Sequence, residues 1–283
     1  MQEHDFIKII KNITNSTYLG DDCAYLKDLE IVVTQDNFIE NVHFKKDWST
    51  PFQIGYKAAV VNISDILASG AIPAYLTVGL SLPKVEDSFI KELYEGIIAG
   101  SYGAEIIGGD ITGSEKIMIS ITAIGKTTNR RISSRSFARP GYIVVTTGKY
   151  GVSSKGLCHL FEGKKGTPEI KAHLEPILNP NFSKLISSNL KDDYAMMDTS
   201  DGLADALFQI AKSSNVTIAV KEVDGIYCAE DYNLVAVIPE DSNIPLSGID
   251  IIGRVFPYDG FYLKIGDKNY NNYDELNLFN HFK

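Results

Sequence analysis

The segment Tyr75-Leu76-Thr77-Val78-Gly79-Leu80-Ser81-Leu82 sets Leu76, Val78, Leu80 and Leu82 against Thr77, Gly79 and Ser81. A period of two over eight residues is that of a strand with one buried and one open face. Ile117 to Ala123 repeats the pattern, with Ile117, Ile119, Ile121 and Ala123 on one side, and Glu30 to Thr34 supplies another strand. Between Thr34 and Tyr75, Ser49 or Thr50 can cap a helix that carries Pro51 in its first turn and stops at Gly70. A second helix is predicted over Ser88 to Ser101, where Phe89, Leu93 and Ile97 recur every four residues and form a stripe that can lie on a sheet. Two helices over a mainly antiparallel sheet is the architecture these signals give for the first half.

The pattern restarts after the polar and basic stretch Ser134 to Gly141. A strand is predicted over Tyr142 to Thr147, then a turn at Gly148 to Gly151 and a helix from about Ser153. Tyr194 to Met197 reads as a strand running into Asp198-Thr199-Ser200-Asp201-Gly202, followed by a helix that ends near Ser213. Shorter strands follow at Asn233 to Val237, Ile249 to Ile252 and Phe261 to Ile265. Strands and helices alternate throughout, so the expected class is α/β (α+β), with one domain over residues 1–137 and another over 138–283.

Composition narrows the function classes. The 283 residues are 44% hydrophobic and 22% charged, which suits a chain with a packed core rather than a disordered one. A net charge of -9 argues against nucleic acid as a partner, since phosphate-backbone binders carry a basic face. The start MQEHDFIKII lacks the basic, then apolar, layout of a signal peptide, and no run reaches the roughly 20 apolar residues of a membrane span, so a cytoplasmic location with no membrane partner is expected. Cys23, Cys158 and Cys228 are too far apart for a zinc or redox pair.

The positions of the aspartates carry the chemistry. Asp22 follows Gly20-Asp21, Asp36 is read as closing the Glu30 to Thr34 strand, Asp110 follows Ile106-Ile107-Gly108-Gly109, and Asp198 and Asp201 follow another strand. Any one of these is a common turn or cap residue, but five at strand ends can gather on one side of a sheet. Hard carboxylate oxygens gathered in that way suit magnesium, which binds phosphate oxygens in turn. Asp65 shares a helix face with buried residues and needs a partner there. Phosphoryl transfer asks mainly for alignment and charge neutralisation, which an acidic cluster with no Cys-His or Ser-His pair can serve. No Gly-x-x-x-x-Gly-Lys-Ser/Thr run is present, so an ATP site must be of another kind than a P-loop.

These motifs occur in a recognisable order. Gly20-Asp21-Asp22-Cys23-Ala24, Thr34-Gln35-Asp36 with Asn41-Val42-His43-Phe44, and Asn62-Ile63-Ser64-Asp65-Ile66 come first. Gly108-Gly109-Asp110, Arg135 before Pro140-Gly141, Asp198-Thr199-Ser200-Asp201-Gly202, Glu230-Asp231-Tyr232 and Asn280-His281-Phe282 follow. Together they resemble the thiamine-monophosphate kinase family of the aminoimidazole ribonucleotide synthetase superfamily. That resemblance implies a two-domain fold whose N-terminal sheets form a homodimer, with ATP bound near the interface. It implies that Asp22, Thr34, Gln35, Asp36, Asp65, Asp110, Asp198 and Asp201 surround several magnesium ions, and that Gly109, Asp110, Arg135 and Ser200 meet ATP. Asp201, Arg135 and Asp110 would be catalytic, while His43, Glu230 and Phe279 would face thiamine monophosphate. The implied reaction is direct in-line transfer from ATP to thiamine monophosphate, giving thiamine diphosphate.

The sequence departs from the family in places. Cys228-Ala229 stands where Gly-Gly is usual, Tyr142 replaces an acid, Gln35 replaces a common threonine, and the stretch from Val220 to Glu230 is short. The Val220 to Glu230 segment helps shape the acceptor side in the family, so its shortening leaves open a relative with another small acceptor, or a non-catalytic homologue.

Overall fold

A computed structural model describes residues 3–242 and 244–278. In chain order the elements are α1 (Glu3–Thr14), β1 (Ala24–Leu26), β2 (Ile31–Ile39), α2 (Pro51–Ala68), β3 (Ile72–Leu82), α3 (Asp87–Gly100), β4 (Glu105–Gly113) and β5 (Met118–Lys126). There follow β6 (Tyr142–Thr146), α4 (Val152–Phe161), α5 (Pro168–Leu174), α6 (Pro180–Asn189), β7 (Ala195–Asp198), α7 (Leu203–Ser214) and β8 (Val216–Val220). The last strands are β9 (Leu234–Pro239), β10 (Asp250–Pro257), β11 (Leu263–Ile265) and β12 (Lys268–Tyr270).

Two sheets organise the molecule. The first has the order β1-β2-β5-β3-β4 and is antiparallel except for the β3–β4 pair. The second has the order β12-β11-β8-β10-β6-β9-β7 and is antiparallel except for β11–β8. The predicted class holds, as does the mainly antiparallel first sheet under two helices.

Helix α2 begins as its sequence dictates. The Thr50 hydroxyl accepts from the Gln53 amide, and the Gln53 side chain accepts from the Thr50 amide, a reciprocal cap with Pro51 at the first helical position. Along its length α2 is buried nearly all round, because it lies between the two sheets and not only on the first. Its apolar residues join one cluster with Leu76, Val78, Ile119 and Ile121 of the first sheet and Ile143, Val145 and Ala236 of the second. A separate cluster, built on α7, covers the other face of the second sheet. Helix α3 packs on α2 through glycines: a Cβ on Gly55 would lie 2.0 Å from the Leu93 carbonyl oxygen, and one on Gly96 would lie 2.0 Å from that of Phe52.

The structure corrects the placement of two aspartates. Asp36 does not close a strand, because β2 continues to Ile39 on its pairing with β5. Asp110 likewise sits within β4, between Gly109 and Ile111. Only Asp198 ends a strand, while Asp22 and Asp201 lie outside strands. Strand β4 is the sheet edge, almost wholly exposed, which is why an aspartate and three glycines are tolerated in it.

Candidate active site

Four elements deliver acids to one place. The loop before β1 carries Asp22, the covered face of β2 carries Thr34 and Asp36, α2 carries Asp65, and the end of β7 carries Asp198. One carboxylate oxygen each from Asp22, Asp65 and Asp198 lies within 4.8 Å of the others, although up to 176 residues of chain separate them. Helix α2 makes this possible by lying between the sheets: Ser64 reaches Asp198 of the second sheet while Asp65 reaches Thr34 of the first. The Ser64 hydroxyl donates to Asp198 Oδ2 at 2.6 Å, and the Thr34 hydroxyl donates to Asp65 Oδ2 at 2.7 Å. Ser200 adds a bond to Asp198 Oδ1 at 3.2 Å, and Asn62 Oδ1 accepts from the Asp36 amide at 3.0 Å.

Crowded, poorly hydrated carboxylates resist ionisation. Burial pushes the Asp65 carboxyl well above the usual carboxylate range, with Asp36, Asp198 and Asp22 adding to the effect. Burial likewise lifts Asp198 to about 7, helped by Asp22. Asp22 is also raised by burial, although Arg135 opposes this. The Arg135 guanidinium is the cation set against the cluster: its Nη2 lies 2.5 Å from Asp22 Oδ1, and its Nη1 donates to Gln209 Oε1. Gln209 in turn donates to Asp205 at 2.8 Å, so this arginine is anchored from α7.

A cavity of about 640 Å³ opens over the cluster. Its volume falls in the range of sites that enclose a small ligand or cofactor. Asp22, Thr34, Asp36, Asp65, Arg135, Asp198, Ser200 and Asp201 all line it, so the chain brings most of the sequence-predicted site together. Its lining also includes Ile7 and Tyr18 from α1 and the segment after it, and Phe208, Lys212 and Tyr273 from α7 and the segment after β12. Apolar and aromatic surface facing an acidic floor gives one region for a flat ring and another for cation-bridged phosphates.

Other predicted residues lie apart. Gln35 reaches the cavity rim, but its amide is turned to the far sheet face, where it bonds to Ser120 at 3.2 Å and accepts from Thr122 at 2.9 Å. The register carries Asp110 into the row of Gly79, Ser120 and Asn37 on that same open face. Within one chain, therefore, Asp110 faces away from the acidic cavity, and Gly109, in the row of Val78, Ile121 and Asp36, is not among the residues that line it. Gly109 has a structural demand of its own, since a Cβ there would lie 2.0 Å from the Val78 carbonyl oxygen. His43 accepts from the Ile39 amide through Nδ1 at 3.0 Å and stacks on Phe38. Glu230 stands beside the cluster, its amide donating to the Ser200 carbonyl at 2.7 Å. Phe279 and Asn280-His281-Phe282 lie outside the described residues.

Several contributing residues were not singled out by the sequence: Asn62 and Ser64 lie within the quoted Asp65 motif without a role of their own, and Gln209 and Asp205 lie in no motif. Ser64 and Asn62 are small polar residues in an apolar helix, and only their burial shows that they bond inward. Gln209 and Asp205 form an i, i+4 pair on α7 that a sequence presents as ordinary surface pairing.

Comparison with known proteins agrees with this architecture. Residues 20–127 match the model of the AIR synthase related protein, N-terminal domain. The thiamine-monophosphate kinase of Bacillus subtilis is 37% identical over 243 residues, covering 78% of this chain and 74% of that protein. That of Corynebacterium glutamicum is 37% identical over 232 residues, covering 77% and 70% respectively. Among solved structures, AaThiL complexed with AMPPCP and TMP superposes with a TM-score of 0.89 at 29% identity, over 99% of this chain and 97% of that one. A shared domain, the extent of these alignments and a fold matched end to end lead to one assignment: the chain belongs to the thiamine-monophosphate kinase family.

Proposed function

We propose that this chain transfers the γ-phosphoryl group of ATP to thiamine monophosphate, yielding thiamine diphosphate and ADP, with magnesium held by the acidic cluster. The observation that carries the reading is the meeting of Asp22, Asp65 and Asp198 under a nucleotide-sized cavity. Relatives that align with most of the chain bear the name of this kinase, and the matched AaThiL structure is complexed with AMPPCP and TMP.

The donor set fits a hard divalent cation. Three carboxylates crowd one spot with a single nearby arginine, so their joint ionisation is disfavoured until a divalent ion offsets the charge, and all the ligand atoms are oxygens. Asp22, Asp65 and Asp198 would hold such ions, with Asp36, Asp201 and Thr34 at the same wall. Bound magnesium would neutralise the charge that builds on the phosphate oxygens during transfer.

The chain's own residues supply order. Ser64, Thr34 and Ser200 fix the carboxylate orientations by hydrogen bonds, so little rearrangement is needed at the moment of reaction. Arg135 holds Asp22 and presents a cationic wall to the polyphosphate. In the transfer, an oxygen of the acceptor phosphate forms a bond to the γ-phosphorus as the bond from that phosphorus to the bridging oxygen of ADP breaks. The acceptor oxygen is anionic near neutral pH, so alignment takes the place of a general base. Phe208 and Tyr273 suit the adenine, whereas His43, Glu230 and Phe279 are assigned to the acceptor.

Asp110, Gly109 and Gln35 enter this scheme through a homodimer. The open face of the first sheet and its edge strand β4 are exposed, with Ile107 and Ile111 at 53% and 64%, and a second copy seated there would place Asp110 at a shared boundary. We assign residues 1–137 to nucleotide binding and dimerisation and 138–283 to the companion domain, in a cytoplasmic enzyme. Among the described residues no helix is long and apolar enough to cross a membrane.

Incubation with ATP, magnesium and thiamine monophosphate, followed by chromatographic separation of thiamine phosphates, tests the reading. Thiamine diphosphate and ADP should appear in equal amounts. ATP turnover without thiamine diphosphate would point to a different acceptor, and no turnover at high enzyme concentration would refute the kinase reading.

A further inference from the structure

Outside the lining of the acidic cavity, Glu230 is held by two buried side chains, Lys57 and His173, that have no part in the reaction as described. Lys57 of α2 is 3% exposed, and its ammonium lies 3.4 Å from Glu230 Oε1. His173 of α5 is 5% exposed, and its Nδ1 lies 3.3 Å from Glu230 Oε2 and 3.0 Å from the Ser153 hydroxyl. The two carboxylate oxygens thus face one buried partner each, from helices 116 residues apart in sequence, while Glu230 itself remains 29% exposed. Taking a lysine out of water is expensive, and an apolar residue would pack α2 at less cost. Burial depresses the Lys57 ammonium, and Glu230 pulls it back toward the charged form. A carboxylate can only accept, so a favourable contact with His173 requires the proton on Nδ1.

The backbone around Glu230 is set with equal care. Glu230 and Tyr232 both adopt left-handed φ values, 64° and 51°, a region that disfavours such side chains. The conformation is secured by the Glu230 amide on the Ser200 carbonyl, and by the Asp231 carboxylate, which accepts the Gly151 and Ser153 amides at the start of α4 at 2.6 and 2.9 Å. The Ser153 hydroxyl closes the circuit to His173. One segment is therefore fixed both to the residue beside Asp201 and to the Lys57–His173 pair.

We propose that Lys57 and His173 are positioning residues: they fix the Glu230 carboxylate so that its exposed side meets a cationic or hydrogen-bond-donating ring of the acceptor. The inference rests on the kinase reading above and adds the residues that set acceptor affinity. It also accounts for how the shortened 220–230 stretch retains an ordered acceptor wall, since the order comes from α2 and α5.

The test compares steady-state constants for Lys57→Met, His173→Gln, Glu230→Gln and the Lys57→Met/Glu230→Gln double variant. Lys57→Met is expected to raise KM for thiamine monophosphate about tenfold while KM for ATP stays within about twofold, and Lys57→Arg should restore most of the loss. The double variant should be no worse than the poorer single one, because both act through one carboxylate. Equal rises in both KM values, an unchanged acceptor KM, or additive losses would overturn the proposal. If Lys57→Met does not fold, His173→Gln against Glu230→Gln carries the same comparison. Should the wild type make no thiamine diphosphate, the kinase reading fails, and calorimetric binding of thiamine monophosphate to the same proteins decides this one: weaker binding by the variants supports it, and no binding by the wild type removes it too.

Discussion

Replacing Asp198 with asparagine should make the metal-free protein more stable while abolishing transfer. In the fold, Asp198 holds its proton up to a pH of about 7, against 3.8 for an ordinary aspartate. A group whose folded value is raised in this way opposes folding as it ionises: there is no penalty below about pH 4, a growing one from 4 to 7, and the full one above. The difference of roughly three pH units corresponds to about 4 kcal/mol at pH 8. Asparagine removes that penalty but weakens the bonds from Ser64 and Ser200, a loss of about 1 kcal/mol. The net gain of about 3 kcal/mol translates to roughly 6 °C in melting temperature for a chain of this size. Thermal unfolding at pH 8 in EDTA should show that rise. Added magnesium with a non-hydrolysable ATP analogue should stabilise the wild type and close or reverse the gap, since ligand binding to the native state adds to its stability. A melting temperature lowered equally in EDTA and in magnesium, or a variant that keeps its kinase activity, would refute the reasoning.

The paired glycines of β4 should separate sharply. Gly109→Ala drives a Cβ against the Val78 carbonyl, so a loss of about 3 kcal/mol or more is expected in urea unfolding, whereas Gly108→Ala meets nothing within 4 Å and should change stability by less than about 0.5 kcal/mol. Burial lowers His173 from 6.5 to about 4 with Lys57 adding to the shift, and Glu230 acts in the opposite sense. The folded state therefore binds fewer protons than the unfolded chain between those values, and stability should fall by about 3 kcal/mol as pH drops from 6.5 to 4. His173→Gln should remove that part of the slope in pH-dependent denaturation, and an unchanged slope would show that His173 is already protonated in the fold.

The fold was legible where local signals were strong. Alternation at Leu76 to Leu82 and Ile117 to Ala123 marked the first sheet, and Thr50-Pro51 marked the start of α2. Helices α5 and α6 also carry such starts, Thr167-Pro168 and Asn179-Pro180, but their short lengths of 7 and 10 residues leave too little periodicity to read. Because aspartate is disfavoured within strands, Asp36 and Asp110 read from the sequence as strand-end residues. The structure accommodates one beside a polar cavity and the other on an exposed edge. The acids of the site were nearly all named in advance, yet their division was not. That Asp22, Asp65 and Asp198 meet while Asp110 and Gln35 turn to the opposite sheet face depends on register, which spacing along a chain does not disclose. The setting of Glu230 was hidden for a similar reason: Lys57 sits next to the apolar run Ala58 to Val61, and nothing local tells that its partner arrives from 173 residues away.

Anomalous diffraction from crystals soaked with manganese and a non-hydrolysable ATP analogue probes the core of the account. Peaks should appear between the Asp22, Asp65 and Asp198 carboxylates and the analogue's phosphates, and should vanish in Asp65→Asn crystals. Density for the analogue with no metal at that spot, or metal bound elsewhere, would contradict it.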